Sequence, residues 1–401
     1  MVKIKDDVIR AYALKNAIEH DGKAIAGSVI NSLFVEGLKR DKIKDYSVKV
    51  SMIVNDVNKF GLETQRQELK KIEKLISHRD VKKEGELPEL PNAKKGVVMR
   101  FSPSPSGALH IGHAITACLN YAFVRKYKGK FYVRIEDTNP DNIYPEAYDL
   151  IKKDSDFLFK KKAKIVIQSD RLKIYYKYIE KLIKKDAVYV CTCNPEEFKK
   201  LIEKKRPCPC RDDGIEGTMH KWKKMLDDKG FKTGEAVMRF KSDIKHKNPA
   251  MRDFPIARIN TNEHPKQGNK FRVWPLMNLA VAIDDIEMKM THIIRAKEHK
   301  DNAKRQEMIY EVLGKKYPWH AYLGRYHFIN LELSASKITQ GIKQGKYKGW
   351  DDPRLPTIAS LKKKGYKPEA FWKFAEHRGI SEVDKVMKQK DLFDLLDKFN
   401  Q

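Results

Sequence analysis

One stretch constrains this chain more than any other: Val97 to Ala114, VVMRFSPSPSGALHIGHA. It opens with a short apolar run, Val97 to Met99, that reads as a buried strand. Pro103, Pro105 and Gly107, interleaved with Ser102, Ser104 and Ser106, then stop both strand and helix, and a helical pattern opens at about Leu109. In a strand-turn-helix unit the free amides of the first helical turn and the positive end of the helix dipole face the loop, so polyphosphate is a natural ligand. His110 and His113 lie three apart and share one helix face beside those amides. Two imidazole donors there can hold phosphate oxygens whose charge grows as a leaving group departs. A His pair on a helix is more often structural than catalytic, so its setting decides.

A second strand-like run, Lys130 to Ile135, ends in Glu136-Asp137-Thr138-Asn139-Pro140. The C-terminal ends of parallel strands are where open α/β sheets bind ligands. From Ala93 to about Val188, short apolar runs alternate with amphipathic helical patterns, as in the first half of a Rossmann-type parallel sheet. The fold class is α/β.

Arg100 to Gly107, the His110-Ile111-Gly112-His113 tetrapeptide and Arg134 to Pro140 have the order and spacing of one family. In these strings the sequence resembles the class I aminoacyl-tRNA synthetases of the glutamyl/glutaminyl branch, with archaeal-type glutamyl enzymes the best match, from about Ala13 nearly to the C-terminus. The resemblance implies five segments. They are an N-terminal helical extension (1–90), the first half of a Rossmann-type catalytic domain (91–188), an inserted acceptor-binding domain with a zinc knot (189–268), the second half of the sheet (269–330), and a loop plus helical stem-contact region (331–401). Glu84 to Asn92, EGELPELPN, has the Pro and Gly content of a linker.

The resemblance also implies roles. Arg100 binds the α-carboxylate of glutamate, Glu136 lies near its α-ammonium, and Ser102 belongs to the same pocket. A guanidinium fork suits a carboxylate, and an acid suits an ammonium. The alternative is that Arg100 and Glu136 merely pair with each other. Arg295 matches an Arg that reads the side-chain carboxylate, because an unpaired buried cation favours an anion over a neutral amide. The alternative is that Arg295 pairs with Asp284 or Asp285. ATP falls to Gly107, His110, Gly112 and His113, with Ser334, Ser336 and Lys337 from a second loop. Magnesium accompanies the ATP.

That second loop, Glu332-Leu333-Ser334-Ala335-Ser336-Lys337, stands where the family has its KMSKS motif. Ala335 replaces the lysine that stabilises departing pyrophosphate, and Lys337, two residues on, is the candidate substitute. Met277 replaces a family tyrosine, and a thioether donates no hydrogen bond.

Cys191-Thr192-Cys193 and Cys208-Pro209-Cys210 flank fourteen intervening residues. Four soft thiolates complete a closed tetrahedral zinc site with no open position, a structural rather than catalytic arrangement; reduced free thiols are the alternative. Cys118, on an apolar helix face, reads as core. A charge of +28, from 82 Lys plus Arg against 54 Asp plus Glu, favours a polyanionic partner, though much of the excess is diffuse lysine. Within the insertion, Glu235 to Arg258 mixes strand runs with basic residues suited to the tRNA acceptor stem; Arg258 there, and Arg354 in Gly349 to Leu355, are the tRNA-contact candidates. The start, MVKIKDDVIR, lacks the apolar core of a signal peptide, and the longest apolar run, about Trp274 to Ile283, is too short to span a membrane. Paired cysteines fit a reducing cytoplasm.

The expected activity is ATP-dependent ligation of L-glutamate to the 3′ end of tRNA(Glu) through a glutamyl-adenylate, by a monomer acting on the acceptor arm. Asn139 favours a glutaminyl enzyme instead. Ala335, Met277 and the lack of anything resembling the family's anticodon-reading barrels favour a tRNA-binding paralog without activity, a fragment, or a chain whose barrels come from a separate polypeptide. Glutamylation of a modified base is a further alternative.

Overall fold

The computed structural model describes residues 4–77 and 86–401, in two compact units, Met1–Glu84 and Gly85–Gln401. In the first unit, α1 (Asp6–Glu19) is buried on most sides, while α2 (Ala26–Leu33), α3 (Ile43–Val57) and α4 (Leu62–Ile72) each turn one face to it or to one another. Ala11, Tyr12, Leu14 and Ala17, spaced as a helix face, join Val29, Leu33, Val50 and Val54 in one core. Gln65, wholly buried, donates its amide to the carbonyls of Gly22, Val57 and Phe60 and so ties the turns to the bundle. Leu69 and Ile72 pack against that core, but Leu75 is exposed, because the chain leaves the helix in a short 3-10 turn that rotates it outward.

In the second unit the putting-together begins earlier than linker composition suggests. Glu84 and Gly85 lie outside the described residues, yet Leu90 is buried in the main core and its amide donates to Tyr127 Oη at 2.8 Å. Strand β1 (Val98–Phe101) starts one residue late and runs two residues past the apolar run, since Arg100 is buried with an acidic partner instead of ending the strand. Strands β2 (Lys130–Ile135) and β3 (Lys164–Ile167) follow in parallel, in the order β1-β2-β3. Helix α5 (Ile111–Lys126) crosses from β1 to β2, and α6 (Ala147–Leu158) from β2 to β3.

After α7 (Leu172–Lys184) an antiparallel sheet intervenes. It comprises β4 (Val188–Cys191), β5 (Val237–Phe240), β6 (Pro255–Ile259) and β7 (Val273–Pro275), with α8 (Pro195–Glu203) and α9 (Gly214–Leu226) between β4 and β5. The strand run near Phe271 therefore closes the inserted sheet: β7 pairs antiparallel with β6, a partnership that a local apolar run cannot specify. Helix α10 (Met277–Glu287) leads back to the parallel layer, where β8 (His292–Ala296) and β9 (Trp319–Leu323), joined by α11 (Lys300–Val312), form a parallel pair. Thr291 sets β8 beside β1, its amide donating to Val98 O at 3.0 Å and its hydroxyl accepting from Val98 N at 2.8 Å. Across the layer the sequence is β3-β2-β1, then β8-β9. The reversal between β1 and β8 is a switch point of the kind that opens a ligand crevice.

The remainder comprises β10 (Tyr326–Ile329), α12 (Ala335–Lys343), α13 (Ile358–Lys363), α14 (Pro368–Arg378), β11 (Lys385–Lys388) and α15 (Gln389–Phe399). The tail is helical as expected, except that β11 pairs in parallel with β10; four residues are too few to show as periodicity. Phe371, Phe374, Leu392 and Leu396 share one apolar cluster with Val133 and Ile135, and Trp372 Nε1 donates to Leu158 O at 2.7 Å. Cys118 is fully buried in that cluster, where burial pushes its thiol well up. No helix among the described residues is long and apolar enough to cross a membrane.

Candidate active site

The crevice at the β1/β8 switch point is a cavity of about 1150 Å³ whose lining includes Arg100, Ser102, His110, Gly112, His113, Glu136, Met277, Arg295, Ser334 and Lys337. Thus the two loops and both strand ends singled out from sequence converge on one space.

His110 is the N-cap of α5 and His113 lies one turn in. Their rings stack, centroids 3.8 Å apart and planes at 22°. His113 Nδ1 accepts from the His110 backbone N–H at 3.4 Å, which puts the neutral ring's proton on Nε2. Burial holds His113 down at about 4 and, with the neighbouring His113, holds His110 well below the ordinary histidine value. Both imidazoles are therefore neutral donors at physiological pH. A Cβ at Gly112 would sit 3.0 Å from His110 Cε1, so a side chain there would push on the stacked ring. Gly107 serves packing: a Cβ would strike the indole of Trp350. The helix start offers fewer free amides than the motif suggests. Leu109 N donates to Asp154 Oδ2 at 2.9 Å and Ile111 N to Pro356 O at 3.0 Å.

Arg100 does not pair with Glu136. Its Nε and Nη2 donate to Asp285 at 3.1 and 3.0 Å, and Arg134 donates to the same carboxylate at 2.6 Å. Against the upward push of burial, these two cations bring Asp285 down to about 2. Asp284 is engaged by Arg171 at 2.7 Å. Asp284 and Asp285, the alternative partners for Arg295, thus serve other arginines. Arg295 instead donates to Gln306 Oε1 at 2.9 Å and to the Tyr317 hydroxyl. Glu136 receives one long bond from Arg134, 3.3 Å, and burial raises its carboxyl despite Arg134 and Arg100. Ser102 Oγ is buried without a partner among the described residues.

Ser334 caps α12, accepting from Lys337 N at 3.4 Å, and its hydroxyl lies 3.0 Å from that of Ser336. The Lys337 ammonium is exposed and sits 3.4 Å from Glu332. Met277 lines the cavity with its sulfur 3.9 Å from Gln306 Nε2.

Elsewhere, Arg258 is tied to Asn139 at 2.6 Å and Asp141 at 3.2 Å, which gives Asn139 a structural partner. Arg354 is pinned to Asp352 and lies over Tyr347, 5.2 Å from the ring centre. The ligand atoms of Cys191, Cys193, Cys208 and Cys210 lie within 4.8 Å of one another, with neighbouring sulfurs 3.2 to 3.7 Å apart. A tetrahedron of thiolates at ~2.3 Å from one ion has edges of roughly 3.8 Å, so this group can hold a metal ion.

Sequence reasoning missed Arg134, Gln306 and Tyr317. For Arg134 a signal existed: two adjacent acids, Asp284 and Asp285, in the otherwise apolar Leu279 to Ile286 require buried cations. For Gln306 and Tyr317 there was none.

Residues 96–399 match the family described as tRNA synthetases class I (E and Q), catalytic domain. The glutamate--tRNA ligase of Methanocaldococcus jannaschii is 43% identical over 98% of this chain and 71% of its own length. That of Pyrococcus furiosus is 46% identical over 95% and 68%. A glutamate tRNA ligase structure from Elizabethkingia meningosepticum, in complex with its amino acid, shares the fold with a TM-score of 0.53, at 22% identity over 76% of this chain and 68% of that one. These likenesses favour glutamyl over glutaminyl relatives and lend nothing to a binding-only paralog. With the stacked histidines, the switch-point crevice and the capped second loop in place, the chain belongs to the class I tRNA synthetases of the glutamyl and glutaminyl branch.

Proposed function

We propose that the crevice carries out both half-reactions of glutamate ligation to tRNA, with the residue roles that follow. The reaction is ATP-dependent attachment of glutamate to tRNA(Glu). The observation that carries the assignment is the convergence of His110, His113, Arg100, Glu136, Arg295 and Lys337 on one cavity.

Arg100 keeps donors beyond the two given to Asp285, and these take the α-carboxylate; Glu136, with one weak internal partner, takes the α-ammonium, and Ser102 supplies a free hydroxyl. Arg295 takes the side-chain carboxylate. The substrate carboxylate oxygen attacks the α-phosphorus of ATP, the bond to the bridging oxygen breaks, and pyrophosphate leaves with the pair. Neutral His110 and His113 donate to the phosphate oxygens that gain charge, and Lys337 reaches the same phosphates after parting from Glu332. Gly112 shapes the approach and Gly107 admits the Trp350 indole, while Ser334 and Ser336 hold the loop. A terminal hydroxyl of tRNA then attacks the mixed anhydride and AMP departs. Magnesium, which class I synthetases use with ATP, supplies countercharge to the triphosphate when bound.

The inserted sheet, 189–268 with β7, is the acceptor-arm module. Arg354 faces tRNA from the stem-contact region, and Arg258 does so from the margin that Asn139 and Asp141 fix. Cys191, Cys193, Cys208 and Cys210 hold zinc as a staple of that module, the protein acting as a cytoplasmic monomer. Zinc stoichiometry near one per chain, lost with a fall in melting temperature on chelation, supports the staple; a metal-free chain with an unchanged melting temperature refutes it.

ATP–pyrophosphate exchange with glutamate and with glutamine, each with and without total tRNA, tests the reading. Exchange with glutamate and tRNA supports it. Bound tRNA without exchange overturns these roles and points to a chain that needs another polypeptide.

A further inference from the structure

Arg295 is buried on β8, yet no carboxylate lies within ion-pair distance of it among the described residues. Arg100, on the opposite wall, is neutralised by Asp285, and Arg325, at the rim, by Glu298 at 2.8 Å. The acceptors given to Arg295 are neutral: Gln306 Oε1 at 2.9 Å and the Tyr317 hydroxyl, which itself donates to Gln306 Oε1 at 3.1 Å. Gln306 is fully buried on α11, and its orientation is fixed at both ends. The oxygen meets two donors, while Nε2 faces Met277 Sδ at 3.9 Å and Asn278 Oδ1 at 3.5 Å. The guanidinium keeps Nε buried and unpartnered. Its field reaches His299, which burial and then Arg295 keep below the ordinary histidine value.

A buried guanidinium held by an amide and a phenol is oriented but uncompensated, and an uncompensated buried cation is costly until an anion arrives. A carboxylate at position 306 would orient it equally well and remove that preference. We propose that Gln306, braced by Tyr317, is the specificity-determining positioning residue of the pocket: by supplying an oxygen without a charge, it keeps Arg295 selective for an anionic substrate side chain. This rests on the reading that Arg295 faces the side chain of glutamate.

The test is Gln306→Glu, which keeps length and acceptor and adds one negative charge, beside Gln306→Met, which removes the acceptor and adds none. Glutamate and glutamine are compared by ATP–pyrophosphate exchange with tRNA present. For Gln306→Glu the expected result is a rise of ~100-fold in KM for glutamate with kcat changed far less, KM for ATP unchanged, and the preference for glutamate over glutamine reduced by a similar factor. Gln306→Met should raise KM for glutamate by roughly tenfold or less and retain the preference, because the positive charge remains. A preference unchanged in Gln306→Glu, or lost equally in both variants, overturns the proposal. If Gln306→Glu fails to fold, the Met variant still decides: loss of preference there means that orientation, not charge, selects. Wild-type exchange with glutamate separates the failures, since its absence would sink the underlying reading and its presence leaves only Gln306 in question.

Discussion

Two helix starts face the same crevice and are built differently. At α5 the rings of His110 and His113 stack, depressed imidazole basicity keeps both neutral, and neighbouring amides are committed to Asp154 and Pro356. At α12 the cap is one long bond to Ser334, and the only cation, Lys337, is exposed beside Glu332. One start is set in advance; the other, in the proposed mechanism, exchanges an internal ion pair for a phosphate. Preorganised donors need little rearrangement as charge develops, whereas a solvated ammonium gives up hydration and an entropy of its own.

The contrast is broken most directly at α5. His113→Ala should lower kcat/KM for exchange by about 100- to 1000-fold, because it removes a donor and the acceptor that orders its neighbour; a drop under threefold would mean that the histidines only pack. Lys337→Ala should cost about 10- to 100-fold, chiefly in kcat. An effect equal to that of His113→Ala would erase the distinction between the two starts, and no effect would remove Lys337 from the mechanism. Titration sharpens the comparison further. His113 titrates near 4 when folded against 6.5 ordinarily, so the unfolded chain binds more protons between those values. Its contribution is present at neutral pH and lost as pH falls through that window, at most about 3 kcal/mol. Asp154, pushed up to about 7 by burial, acts with opposite sign, losing stability as pH rises, so the readout is the wild-type pH–stability curve minus that of His113→Gln. The difference should fade below pH 6; a flat difference would contradict the buried neutral ring. Smallest is Glu332→Gln, which frees Lys337: KM for ATP should fall by about twofold or less, as expected of an exposed pair.

Much of this site was legible in local strings. A strand, a Pro- and Gly-rich turn and a His pair define α5 from sequence, because each element depends on near neighbours. The acid after β2 was legible for the same reason. What stayed hidden depends on pairing across the chain. Arg100 and Arg134 find Asp285 across more than a hundred residues, Gln306 on α11 meets Arg295 on β8 with no local pattern to mark the pair, and β7 reads as a strand without disclosing its antiparallel neighbour. The stretch of tail that became β11 has four residues, too few to show an alternation.

Strand β11 has a last consequence. It pairs with β10, the strand that immediately precedes the Ser334 loop, while Arg378 Nη2 donates to Gly324 O at 2.5 Å and Trp372 fastens α14 to Leu158. The tail is thus stitched to β10 ahead of the loop, to the end of β9 and to the end of α6. It is no detachable module: shortening the chain before Ser381 would leave β10, whose Tyr326, His327 and Phe328 line the crevice, without its partner strand.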